Sequence, residues 1–151
     1  MDLAAPTSVV TAFVTARGRV LLLCRSDRVG TYRGKWAGVS GYLETEDPEE
    51  QARVEIAEEL GLAGDRVRLE RRGEPVEVID EGAGRAWLVH PFRYALARGA
   101  EPRLDWEHVE MRWAEPGEIR LADSVPGLWE AWLSVAEGFG GPERDPGEGT
   151  P

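Results

Sequence analysis

Apolar and β-branched residues fill positions 8–15, and a second near-continuous apolar run follows at 20–24, with Ala16-Arg17-Gly18-Arg19 between them. That pattern predicts a β-hairpin. From position 48 the period changes. Ala52, Ile56 and Leu60 recur at every fourth residue, the spacing of a helix face packed on a sheet. Pro48 suits the first turn of this helix and Gly61 its C-cap. Strands are predicted again over 67–72, 76–79 and 86–96. Pro91 inside the last of these marks an edge strand or a bulge, and His90 beside it reads as a hydrogen-bonded histidine of core or edge. A short final strand is predicted at 111–113, a turn at 115–119, and a second helix over 126–136. Leu128, Trp132 and Val135 form that helix's apolar stripe, with Trp129 beside it. Beyond 136, Gly, Pro and acids replace the pattern, so 137–151 is expected to be a loosely held tail. The order strands, helix, strands, helix predicts an α/β domain with a mixed sheet between helices.

Composition narrows the partners. The chain of 151 residues has a formal net charge of −10, which argues against a partner approached through its phosphodiester backbone, and so against nucleic acid. No run of about 18 apolar residues occurs, so no membrane partner is expected. The N-terminus lacks the charged start and apolar core of a signal peptide. Cys24 is the one cysteine; it precludes an internal disulfide and reads as a small buried strand residue. A cytoplasmic location is the expectation.

Three groups of residues carry candidate chemistry. Glu55, Glu58 and Glu59 lie on one helix face at spacings of three and four, and their oxygens suit a hard cation. On spacing alone, a solvated acidic face gives the same pattern. Residues 25–35 hold four cations, Arg25, Arg28, Arg33 and Lys35. They are either an ordinary basic loop or donors to a substrate's phosphates; Trp36, next to them, is expected to plug the core beneath. Asp105, Glu107, His108 and Glu110 make a later polar segment in which a general base could sit.

The stretch 41–62 then adds a specific resemblance. Glu55-Ile56-Ala57-Glu58-Glu59-Leu60-Gly61-Leu62 is similar to the second half of the Nudix box, G-x5-E-x7-R-E-U-x-E-E-x-G-U, with Gly41 as the opening Gly and Glu46 as the first Glu. The chain departs from the box twice. Its Arg position is Val54, with Arg53 displaced by one residue and so about 100° around the helix, and the segment between Gly41 and Glu46 is one residue short.

The resemblance covers about residues 8–136. It implies an α/β/α sandwich with a mixed sheet, a Nudix domain within 1–136, and a divalent ion, Mg²⁺ or Mn²⁺, held by Glu55, Glu58, Glu59 and the carbonyl of Gly41. Glu55, Glu58 and Glu59 are then catalytic, with Glu107 or Glu110 as base candidates of the later loop and Arg25, Arg28, Arg33 and Lys35 binding substrate. The implied activity is hydrolysis of the pyrophosphate bond in a nucleoside diphosphate linked to another moiety. The altered box leaves a second reading open, a nucleotide or sugar-phosphate sensor on the same fold. A homodimer is one assembly the resemblance allows. Isopentenyl diphosphate isomerase shares the fold, but its cysteine and histidine motif is missing. Residues 25–30, 105–107 and 125–129 resemble an archaeal-type subgroup sometimes found beside an initiation-factor-related domain.

Overall fold

Two strands that change partners part-way along set the architecture. In the computed structural model, which describes residues 5–140, the first of these is β1 (Thr7–Ala16) and the second is β7 (Arg85–Leu96). They lie side by side in parallel, from Thr7 against Trp87 to Thr15 against Ala95. The outer edge of β1 pairs first with β4 (Val39–Tyr42), through Val9 to Ala12, and then with β2 (Arg19–Arg25), through Thr15 and Ala16. Between these two pairings the sheet splits. The outer edge of β7 divides likewise between β6 (Val76–Asp80) and β5 (Val67–Arg72). The far edge of β2 pairs with β8 (His108–Ala114), and the edge it shares with β1 also takes β3 (Trp36–Ala37), both antiparallel to it.

Helix α1 (Pro48–Leu60) covers one face. Asp47 starts it by accepting a hydrogen bond from the Glu49 amide at 3.0 Å, and Gly61 stops it in the left-handed region at φ 71°, where a side chain is unfavourable. The short helix α2 (Glu118–Leu121) and α3 (Leu128–Val135) belong to the other face. Strand alternation splits the core accordingly. Val10, Ala12, Val14, Leu21 and Leu23 pack with Ala52, Ile56 and Leu60 of α1. Phe13, Val20 and Leu22 pack with Ile119, Leu128, Ala131, Trp132 and Val135. The result is the predicted α/β/α sandwich around a mixed sheet.

Several local expectations are corrected. Strand β7 is central, not an edge, although it contains Pro91. The Pro91 carbonyl faces the β5–β6 side, where it accepts from the Gly73 amide at 3.0 Å. In a strand the N–H of a residue points the same way as its C=O, so the missing donor falls where the neighbour changes from β6 to β5. His90 has a buried Nε2 with no hydrogen-bond partner among the described residues. The last strand begins three residues earlier than expected, at His108, and the predicted turn at 115–119 runs into α2.

Trp36 is half-buried against the α3-side core. Of the segment 137–151, the described part is tied down. Phe139 packs edge-on against Trp132 with 5.2 Å between ring centres, and Glu137 pairs with Arg71 at 2.6 Å. Residues 141–151 lie outside the described residues. Among the described residues no helix is long and apolar enough to cross a membrane.

Candidate active site

The outward-facing side chains near the split form the floor of a cavity of about 540 Å³, made by Val9 and Thr11 of β1, Ser40 of β4, and Trp87 and Val89 of β7. Glu55 and Glu58 enter from α1, Arg25 from the end of β2, Arg28 from the loop after it, and Trp106 and Glu107 from the loop before β8. Gly41 explains how Glu55 gets there. A Cβ built on Gly41 would collide with the Glu55 carboxyl, so the strand lets the carboxyl lie against its backbone only because this residue has no side chain.

The carboxylates are crowded, and one of them is fully buried. Glu59 is 1% exposed, and neither of its carboxyl oxygens has a hydrogen-bond partner among the described residues. Burial pushes its pKa well above the ordinary carboxylate value, and the charge of Glu107, then Glu55 and Asp105, push the same way. Glu55 is also raised, first by burial; the hydrogen bond from Gln51 opposes the shift, and the charges of Glu58 and Glu44 add to it. Glu107 is raised by burial, by Asp105 and by Glu55, with Arg25 opposing. Buried His108 lies 3.8 Å from Glu59 through Nε2 and 3.6 Å from Asp105 through Nδ1. Burial lowers its pKa, against the pull of Asp105. Burial therefore disfavours the charged form of each member of the His108–Glu59 contact.

Oxygen ligands, two of them buried without partners, and three carboxyls whose pKa values are raised first by burial and then by one another fit a divalent cation. The rotamers as they stand bring no three of these groups to a common ligating point among the described residues, so ligation by Glu55, Glu58 and Glu59 together needs side-chain rotation on a helix already in place.

The basic loop divides. Arg25 bonds the Thr31 carbonyl through Nε at 2.9 Å, and its guanidinium also faces Glu107 electrostatically. Arg28 lies over the Trp106 ring at 5.6 Å, at the cavity. Arg33 donates to the Val29 carbonyl at 2.7 Å, and Lys35 pairs with Asp123 at 2.6 Å; neither lines the cavity. Of the two base candidates, Glu107 lines it and Glu110 does not. Glu110 sits exposed in β8 opposite Cys24, whose thiol is raised by burial and by that neighbouring charge. It is a strand residue, not part of a loop.

The NUDIX domain family matches residues 5–133. The chain belongs to that family. It is an enzyme of the Nudix hydrolase type, a pyrophosphohydrolase. Among solved structures, a MutT Nudix hydrolase from Burkholderia pseudomallei is 27% identical, with a TM-score of 0.63 over 87% of this chain and 99% of its own. The Nudix hydrolase RenU from M. smegmatis is 21% identical, with a TM-score of 0.65 over 85% of this chain and 81% of its own. An Ap4A hydrolase from C. elegans, solved as a binary complex, is 18% identical, with a TM-score of 0.65 over 85% and 93%. The last two share the fold. No curated protein matches the chain.

Against the Nudix box, the two departures now have places. Val54 is 39% exposed. Arg53 turns away from the cavity, its guanidinium 5.2 Å from the Tyr94 ring centre and 3.4 Å from the Gly64 carbonyl. Glu46 is exposed. Sequence reasoning missed Gln51, which bonds Glu55, and the aromatic rim of Tyr42, Trp87 and Trp106. For Gln51 a signal existed: it stands four residues before Glu55 on the same helix, where an amide and a carboxylate meet. Tyr42 and Trp87, 6.4 Å apart between ring centres, come together only through the β1–β4 and β1–β7 pairings, which no local pattern announces.

Proposed function

We propose that the protein is a divalent-metal-dependent hydrolase of a nucleoside diphosphate linked to another moiety, cleaving the pyrophosphate bond. The observation that carries this reading is a cavity that brings half-buried Glu55 and exposed Glu58 of α1 together with Glu107 and the guanidinium groups of Arg25 and Arg28, with buried Glu59 beside Glu58 on the same helix. Glu55, Glu58 and Glu59, with the Gly41 carbonyl, would hold Mg²⁺ or Mn²⁺. A divalent ion there supplies charge neutralisation for the phosphoryl oxygens and lowers the pKa of a bound water.

The chain's own residues do the rest. Arg28 and Arg25 donate charge-assisted hydrogen bonds to the phosphate that does not react. Trp106, Tyr42 and Trp87 offer flat apolar surface to the substrate's remaining parts and exclude water. Glu107, with a raised pKa and a place on the cavity wall, takes the proton from the attacking water. His108 is too deeply buried to reach the substrate. The leaving phosphate departs on the open side.

The test is a screen for cleavage of dinucleotides, nucleotide sugars, nucleoside triphosphates and ADP-ribose with Mg²⁺ or Mn²⁺. Metal-dependent release of a nucleotide or phosphate is expected. Tight nucleotide binding without cleavage of any diphosphate would instead make the protein a sensor on the Nudix fold.

A further inference from the structure

We propose that Gln51 is the positioning residue for Glu55, fixing the direction in which its carboxyl enters the cavity. This rests on the reading of Glu55 as an ion ligand. Gln51 is 2% exposed, and both ends of its amide are used. Nε2 donates to Glu55 Oε2 at 2.9 Å, and Oε1 accepts from the Glu44 backbone amide at 3.0 Å. The orientation is fixed by chemistry. The Glu44 amide can only donate, so the carbonyl end must face it, which leaves the NH₂ end for the carboxyl. A flipped amide would set N–H against N–H and oxygen against oxygen.

The geometry makes a slot. Glu55 Oε2 is held from the α1 side by Gln51, and its carboxyl lies against the backbone of Gly41, where a side chain would collide. The Glu44 amide anchors the slot to the segment that follows β4, so one side chain ties helix, strand exit and carboxyl together. No side chain from the altered box positions does this: Val54 and Glu46 are exposed, and Arg53 stacks over Tyr94. Gln51 also suits the shortened segment. That segment brings the Glu44 amide within reach of α1, and a neutral amide bonds the carboxylate without adding a cation that would compete with the metal. Asn is one methylene too short to span both partners, and Glu at this position has no N–H for Glu55.

Two substitutions separate positioning from mere packing. Gln51→Glu keeps an acceptor for the Glu44 amide and loses the donor to Glu55. Gln51→Met keeps the volume and loses both bonds. Three quantities decide: Mn²⁺ affinity by calorimetric titration, kcat and KM at saturating Mn²⁺, and thermal midpoint in EDTA. Loss of a hydrogen bond to a charged group corresponds to about a tenfold to hundredfold change. Both variants should therefore lose about tenfold or more in Mn²⁺ affinity and in kcat, with KM little changed. In EDTA the thermal midpoint should fall in both variants, because Gln51→Met strands the Glu44 amide and Gln51→Glu sets a second carboxyl against Glu55, a loss that shrinks as the pH drops and the pair takes up a proton. Wild-type kcat together with wild-type or tighter Mn²⁺ binding in Gln51→Glu overturns the proposal, even where Gln51→Met fails to fold. Wild-type protein that binds no Mn²⁺ overturns the ion site itself, and the role of Gln51 with it.

Discussion

Helices α1 and α3 cover opposite faces of one sheet and follow opposite rules. Every buried residue of α3 is apolar: Leu128, Ala131, Trp132 and Val135. Its Trp132 meets Phe13 edge-on at 5.3 Å and Phe139 at 5.2 Å, and Gly127 at its start lies so close to Val78 that a Cβ would collide. Helix α1 buries Gln51 and Glu59 beside Ala52, Ile56 and Leu60. A helix whose buried face is apolar and close-packed adds stability; a helix that buries a carboxyl without a partner gives some up. Both helices hold the sheet through apolar residues, and α1 alone also carries the buried carboxyl.

The comparison breaks most readily at Trp132. Trp132→Ala should cost about 3–5 kcal/mol, the usual loss for a buried Trp truncated to Ala, measured by urea denaturation. A loss under about 1 kcal/mol would show that α3 is not a stabilising layer.

A smaller effect is expected at the cations. Arg28→Ala should raise KM by about tenfold or more, as for loss of a charge-assisted contact of about 1.5–3 kcal/mol. Arg33→Ala should leave KM unchanged, because that side chain bonds its own loop at Val29. Equal effects in the two variants would remove the distinction between the cavity wall and the loop brace.

Glu59 sharpens the contrast by its sign. Its folded pKa is raised, so its contribution favours the fold below the ordinary carboxylate value of 4.5 and is lost as pH rises through the raised value. In EDTA, Glu59→Gln should therefore melt above wild type at pH 8, and the difference should vanish as the pH drops below 4.5. With Mn²⁺ present the order should reverse. A variant less stable than wild type at pH 8 in EDTA would mean that the Glu59 carboxylate is favourably held.

Val54→Arg is the mildest change. The new cation reaches Glu58 four residues on, an exposed helical pair contributing about 0.3–0.5 kcal/mol. It should lower turnover by about twofold through competition with the ion. Increased turnover would mean that the site still needs the box Arg.

Much of this was legible before the fold. Period-four spacing located α1 and its sheet-facing residues, and the box spacing singled out Glu55, Glu58 and Glu59 as neighbours. Local pattern does not carry burial depth, though. Glu58 and Glu59 read alike in sequence, but a rotation of 100° per residue sends one to the cavity and the other under β8. Arg28 and Arg33 also read alike, and only the closing of their loop shows that one is used internally. Pro91 misled because the rule for proline in strands assumes continuous neighbours, and β7 changes neighbours beside it.

The central claim is that the carboxylates of α1 form a divalent-ion site. It is tested most directly by thermal unfolding with and without Mn²⁺, in wild type and in Glu55→Gln and Glu58→Gln. An ion bound only by the folded state adds about 2.7 kcal/mol at a concentration a hundred times its Kd. The account predicts a clear Mn²⁺-dependent rise in the wild-type melting temperature that shrinks or disappears in both variants. A wild-type midpoint indifferent to Mn²⁺, or a rise undiminished in both variants, would contradict it.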